Sequence, residues 1–404
     1  MANTLLVPDI ITKEALRVLH NQLTFLRTIN RDYDDQFARE GAKIGSNLRI
    51  RMPNQYTVRS GLVMDTQDVT ETSQTLSVAT VRGVDMNFTS EELTMSIDNF
   101  SQRILRPAMS RLAAEIENIV LSNVYMDIYN FSGTAATTPA TINAIHNART
   151  KLNQGLAPKD ANRHVLVDSV AMAAIAGGEK GLFHMGSELE RAFAQGFFGR
   201  ASGMTIWESE LVPNHTNGTR DDTTPLTNGT DQTGASLVCD GFDANATINQ
   251  GDVFTIAGVY AVNPETKGQY SHLQQFVVTA NATADGSGNA TLSISPSIVT
   301  TGATQNVSAA AADGSALVFE AAGGSGAASA VIAQDLAYHR DAFTFVTADL
   351  ELPANVEASR QVFDGISMRY VRDFDIVNSK HPARFDVLFG YRTIRPEWAV
   401  RMRG

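Results

Sequence analysis

Residues 47–59 alternate in character, with Leu48, Ile50, Met52, Tyr56 and Val58 on one face and Arg49, Arg51, Gln55, Thr57 and Arg59 on the other. A period of two belongs to a half-buried strand. A polar tip with Asp65, Asp68 and Glu71 follows, then a second run in phase through Leu76, Val78, Val84, Met86 and Phe88. Two strands of about a dozen residues predict a hairpin about 40 Å long, far beyond the usual length of about five or six residues. A ribbon of that length cannot bury its apolar face alone. It must lie on a sheet of its own molecule or reach out over a neighbour.

Helical periodicity flanks this ribbon. Leu16, Leu19, Leu23 and Leu26 recur at spacings of three and four, which predicts an amphipathic helix over 12–29 capped by Thr12, with Lys13, Arg17, His20 and Arg27 on the polar face. Ser90-Glu91-Glu92 opens a short helix, and Leu112, Ile116, Ile119, Val120 and Val124 mark a long one. Pro107 should start or kink it, since proline has no amide donor; from there to residue 130 the rod is about 34 Å. Further helices are expected near 140–154, 169–176 and 187–197, and strands at 163–167 and 203–211.

Composition then breaks. Residues 213–340 are crowded with Thr, Asn, Gly and Ala and hold eleven acids against Arg220, Lys267 and Arg340, so this third of the chain carries most of the net charge of -11. Short β runs at 252–262, 273–280 and 290–299 predict a small all-β module, with a core of Val253, Phe254, Ile256, Val259, Phe276 and Val278. The Ala/Gly/Ser tract 309–330 reads as a flexible return linker. Strand patterns resume at 343–346, 366–371 and 385–391. One mixed α+β body interrupted by an acidic β insertion is the economical organisation.

Few signs of chemistry appear. A chain 43% hydrophobic and 19% charged is an ordinary globular one, and its acidity argues against a dedicated nucleic-acid reader. Cys239 is the only cysteine, which excludes an intrachain disulfide and a Cys-rich metal site. The eight histidines form no His-x-x-x-His, and no phosphate-cradling Gly-rich loop follows a strand. Gly323-Gly324-Ser325-Gly326-Ala327 lacks the strand and helix that would aim a nucleophile. Asp285-Gly286-Ser287-Gly288-Asn289 is a turn between β runs rather than one copy of a Ca²⁺ repeat. No catalytic residue, cofactor or metal is expected, so the chain is not read as an enzyme. The first residues lack the basic segment of a signal peptide, and no run approaches the roughly 18 apolar residues of a membrane span; no membrane partner and a cytoplasmic site of synthesis are expected.

The order of these parts resembles the major capsid proteins of tailed bacteriophages, the Hong Kong phage type of fold, and within it the short-tailed-phage coat protein family that carries an insertion domain. Ile248-Asn249-Gln250-Gly251-Asp252-Val253-Phe254-Thr255-Ile256-Ala257-Gly258-Val259 with Asn263-Pro264 is similar to that family's β-barrel signature, and Leu388-Phe389-Gly390-Tyr391 with Ile394-Arg395-Pro396-Glu397 to its closing segment. The resemblance implies an N-terminal arm over 1–43, an extended hairpin loop over 44–88, a spine helix with the first part of the peripheral and axial domains over 89–212, the insertion over 213–340 and the rest of the axial domain over 341–404. It implies pentamers and hexamers closing an icosahedral shell around double-stranded DNA, assembled in host cytoplasm. The hairpin would lay Leu48, Ile50, Met52, Tyr56, Val58, Leu76 and Val78 on an adjacent subunit, and Arg17, Arg27, Arg401 and Arg403 would be candidate basic residues facing the lumen. The implied partners are further copies of the chain, a scaffolding protein, a portal protein, an optional decoration protein and packaged DNA held by weak, sequence-blind contacts. The chain departs from the family in having only a short stretch before the barrel signature, where the relatives carry an inter-capsomer loop. It also has no lysine between Lys43 and Lys151, which argues against a covalently cross-linked shell. A cellular nanocompartment shell of the same fold is the alternative; a tail fibre or adhesin and a hydrolase fit less well.

Overall fold

The second alternating run finds a partner along most of its length, and the partner comes from the other end of the chain. Strand Ser73–Thr89 pairs antiparallel with Lys380–Thr393, from Val78↔Gly390 to Thr89↔Lys380. This computed structural model describes residues 8–32, 47–59, 61–64, 66–68, 71–89, 104–135, 137–178, 199–220, 225–320, 329, 331–354, 356–363, 365–378 and 380–404. The helices expected at 90–92 and 187–197 lie outside them. Contacts divide the chain into two units: residues 1–52, 73–120 and 343–394 form one, and residues 53–72, 121–342 and 395–404 the other.

In the first unit, Lys380–Thr393 is the shared member of a six-stranded antiparallel sheet. Ser73–Thr89 takes one of its edges; Ile366–Arg372 and Phe343–Ala348 take the other in succession, and Glu357–Phe363 extends the sheet beyond Ile366–Arg372. Gly390 sits where the register slips opposite Val78, and a Cβ there would lie 2.3 Å from the Ser77 carbonyl. Only glycine allows the two backbones to close at that bulge.

The expected long hairpin is corrected. Its first strand is only Asn47–Arg51, paired with Ser73–Ser77 in the register Leu48↔Leu76 and Ile50↔Gln74, and the described residues between Met52 and Thr72 form no strand. Ile50, Leu76 and Val78 are buried with Val346 and Ile394, and Leu48 and Met52 pack against the same cluster. The base of the ribbon therefore covers its own sheet, because Val346 and Ile394 offer an apolar face with no loop to close at a distance.

The N-terminal helix α1, Pro8–Gln22, starts earlier and ends earlier than its spacing predicts. Thr12 is buried within it rather than capping it, and Leu23 and Leu26 are buried beyond its last turn. Its start is held to the sheet by Ser359 Oγ donating to Asp9 Oδ1 at 2.6 Å. Pro107 stands in the first turn of α2, Arg106–Val124, where a missing donor is harmless. Buried Glu117 on α2 ties down the chain that leaves α1: its Oε1 accepts Thr24 N at 2.6 Å and Leu26 N at 3.1 Å.

Burial raises the Glu117 carboxyl to about 7 against the pull of those backbone donors. A carboxyl raised in the folded state favours folding below its unfolded value of 4.5 and loses that contribution as pH rises through about 7. Glu117→Gln, which keeps the acceptor, should flatten the fall in stability across that window by about 3 kcal/mol. Glu117→Ala should instead destabilise at every pH, by about 1–3 kcal/mol for each amide left without an acceptor. Urea unfolding of both variants across this pH range checks the assignment, and a Gln variant with the parental pH slope would sink it.

In the second unit a mixed sheet runs in the order Phe131–Ser132, Ala399–Met402, Asp335–His339, Arg163–Val167, Met204–Glu208, Arg200–Ala201. Helices α3, Ile142–Gln154, and α4, Ser169–Gly178, contribute Ile145, Leu152, Met172 and Ile175 to its core beside Val165, Ile206 and Val400. Asp335–His339 is thus a central strand of this sheet and not the end of the insertion. The chain leaves and re-enters beside itself, through Asn214–Thr216 paired antiparallel with Val331–Ala333.

Between those paired segments lies a second six-stranded sheet: Leu317–Phe319, Val253–Val262, Gln269–Val278, Ala290–Ile298, Gly234–Asp240, Leu226–Thr227. Its two edges meet. Leu226 bridges Ala316, Thr227 N donates to Ser315 O and Leu317 N to Pro225 O, so the sheet closes into a small barrel. Phe254 lies against Phe276 at 5.7 Å and Phe319 at 5.2 Å between ring centroids, and Cys239 is buried in the same core. The tract expected to be a linker, 309–330, is corrected for its first half: Ala311, Leu317 and Phe319 are core residues, since Leu317–Phe319 pairs with Phe254–Ile256 as a strand of the barrel. Residues 321–328 lie outside the described set.

Candidate functional site

The barrel signature explains itself at the point where the barrel meets the mixed sheet of the same unit. Gly251 takes φ +94°, a left-handed conformation suited to glycine, and a Cβ there would lie 3.0 Å from His215. The turn presents Asp252, fully buried, to four donors or cations. Its Oδ1 lies 2.8 Å from His215 Nε2; its Oδ2 accepts Asn249 N at 3.0 Å and Gly218 N at 3.3 Å and faces Arg220 Nε at 3.2 Å. A carboxylate only accepts, so His215 donates through Nε2, and its Nδ1 is within hydrogen-bond distance of the Tyr125 hydroxyl, 3.2 Å. Arg220 spreads over the Phe319 ring at 4.4 Å. The Tyr-His-Asp order resembles a proton relay, but what its buried members do here is join Tyr125, His215, Gly218, Arg220 and the 249–252 turn, so the array serves as a clamp.

Two late arginines complete the clamp. Arg401 donates to Gly251 O at 2.7 Å and lies 5.4 Å from the centroid of the Tyr125 ring, while its Nε and one terminal nitrogen find no acceptor. Burial lowers its guanidinium to about 10. Arg403 pairs with Glu320 at 3.0 Å, donates to Gln334 Oε1 at 2.9 Å and to Ala333 O at 2.9 Å. The two are only 1% and 2% exposed, which corrects their placement as basic residues facing the lumen: their charge is spent inside the subunit. Gln275 adds a pair of bonds to the Phe131 backbone, 3.0 and 3.1 Å. Burial also holds Asp335, which accepts Asp168 N, up at about 7. All six residues expected in the insertion core, Val253, Phe254, Ile256, Val259, Phe276 and Val278, are buried.

The other sequence-derived candidates separate. Leu48, Ile50, Met52, Leu76 and Val78 are occupied as described above, whereas Tyr56 and Val58 are exposed, Val58 to 98%. They belong to a tip that also exposes Leu62, Val63 and Met64. Gln67 ties the two arms of this tip together, accepting Thr57 N at 2.8 Å and donating to Thr57 O at 2.6 Å. Arg17 is exposed and paired with Glu14 at 2.8 Å, and Arg27 is exposed. Among the described residues no group of acids, histidines and cysteines is arranged to hold a metal, and no helix is long and apolar enough to cross a membrane.

A family model described as P22 coat protein, gene protein 5, matches residues 1–404. The chain belongs to that family. It is a major capsid protein of a tailed bacteriophage, a structural coat component with the α+β architecture of that fold and an inserted barrel. A comparison with curated proteins finds no match. Solved structures similar to the coat chain include one from Mycobacterium phage Che8, at 12% identity and TM-score 0.49, covering 94% of this chain and 90% of the other. A capsid structure of the cyanophage P-SCSP1u has 10% identity and TM-score 0.43 over 90% and 84% of the two chains. The mature capsid of bacteriophage PhiM1 has 12% identity and TM-score 0.41 over 88% and 82%. The identification rests on the family match alone.

Two features of the coat chain escaped sequence reasoning. The exposed Leu62-Val63-Met64 triplet was available as an apolar run inside a polar tip, and the acids Asp252 and Glu320 were available as carboxylates flanked by strand residues, a placement that demands a buried partner.

Proposed function

We propose that this chain is the repeating subunit of an icosahedral shell, closing as pentamers and hexamers around double-stranded DNA in the virion. The observation that carries the reading is the tip between residues 53 and 72: Tyr56, Val58, Leu62, Val63 and Met64 stand in solvent, where a monomer gains nothing from them. Burying each on an adjacent subunit contributes about 1.5–3 kcal/mol, offset by the ordering of the tip. The intersubunit face is therefore the tip and not the base of the ribbon. Arg17 and Arg27 are the remaining candidates for sparse contact with DNA, and a scaffolding protein, a portal and a decoration protein are the partners proposed on family grounds. No enzymatic step is assigned to the chain.

Replacing Val58, Leu62 and Val63 by Ser tests this reading. The variant subunit should unfold within about 0.5 kcal/mol of its parent, as exposed substitutions do, yet assemble far more weakly. Light scattering and electron microscopy of the purified subunit read the assembly. Shells formed at parental concentration would remove the tip from the interface.

A further inference from the structure

A cavity of about 370 Å³ in the second unit gathers positive charge in a chain that is otherwise acidic. Among the described residues, Lys151 on α3, Lys267 and Arg395 line it against a single acid, Glu397. Arg395 is engaged, lying 3.7 Å from Glu397 and 4.2 Å over the Trp398 ring. Among the described residues Lys267 donates only to neutral carbonyls, Ala303 O at 2.6 Å and Gln305 O at 3.2 Å, and pairs with no acid. Lys151 makes no side-chain hydrogen bond or ion pair among the described residues. One turn along the same helix, Gln154 Oε1 is buried in the lining and accepts no hydrogen bond from the protein.

We infer that this cavity binds an acidic peptide segment, with the carboxylate of an Asp or Glu side chain between Lys151 and Lys267 and a peptide N–H donated to Gln154. Two ammonium groups without counter-ions call for an anion, and a lone buried acceptor beside them calls for a donor on the same ligand. An anion without a donor, such as sulfate, supplies the first and not the second. A polynucleotide is disfavoured by the net charge of -11 and by the concavity of the site. The electrostatics agree: burial lowers Lys151 to about 8, and burial together with the Lys151 charge lowers His272 in the same lining to about 4. This inference concerns a partner and does not depend on the shell reading.

Trp398 in the wall is the reporter, read by fluorescence in the full-length subunit carrying Trp207→Phe, since the chain has two tryptophans. The blocked tripeptide acetyl-Gly-Glu-Gly-amide should give a saturable change, and its Gln counterpart should bind about ten- to a hundred-fold more weakly. Lys151→Met and Lys267→Met should each weaken the Glu peptide by about ten-fold or more, while Lys151→Arg retains binding. Gln154→Leu should weaken the Glu peptide and leave inorganic sulfate unaffected. Circular dichroism of every variant should match the parent, and a Met variant that fails this is replaced in the comparison by the other. Equal titration by the Glu and Gln peptides, no saturation up to tens of millimolar, or sulfate binding tighter than the Glu peptide with Gln154→Leu indifferent to both would each overturn the assignment.

Discussion

Arg403→Ala is expected to destabilise the free subunit by about 3–5 kcal/mol, because it leaves the Glu320 carboxylate buried without its bonded cation. Gln334 Oε1 and the Ala333 carbonyl lose their donor in the same stroke. The double variant Arg403→Met with Glu320→Met should recover much of the loss, since a buried ion pair replaced by apolar groups of similar volume is often nearly neutral. Urea unfolding followed by circular dichroism gives both numbers. A single variant within about 1 kcal/mol of the parent that nonetheless fails to form shells would contradict the burial and return Arg403 to an outward-facing role.

Ile50→Asp carries the second large effect. Ile50 is 5% exposed and packs among Leu76, Val78, Val346 and Ile394, so an ionised side chain there must either neutralise or detach strand Asn47–Arg51 from Ser73–Ser77. Detachment limits the loss, because the strand is short and at the edge of the sheet; about 3 kcal/mol is expected. If the face of Leu48, Ile50 and Met52 lay on an adjacent subunit instead, the same variant would fold normally and fail only in assembly. The unfolding midpoint of the isolated subunit decides between the two. An unchanged midpoint with assembly lost would restore the base of the ribbon to the intersubunit face.

The arginines show why charge pattern is a poor guide to exposure. Arg401 in the last strand and Arg403 just after it alternate like any solvent-facing pair, and nothing within ten residues marks them as buried. Their partners Gly251 and Glu320 lie 150 and 83 residues away. The barrel is a parallel case. Its strands at 253–262 and 290–298 announce themselves through Val, Phe and Ile in the first and alternating Leu292 and Ile294 in the second, but the closure through Leu226 and Ala316 falls in stretches whose composition reads as loop and linker.

What this chain's residues determined unaided was the kind of each element and the order of the parts. The period of two in 73–89, the apolar spacing of 106–124, the proline at its start and the acidic Thr/Asn/Gly-rich middle all depend on neighbours a few residues away, and the family signature in 248–259 depends on identity alone. Tertiary structure decided which faces are spent within the subunit and which remain free. Leu48, Ile50 and Met52 are satisfied by Val346 and Ile394, while Val58 and Leu62, in the same alternating or apolar idiom, are left in water. The physical reason is that burial is a property of pairs of surfaces, and sequence periodicity describes only one member of each pair.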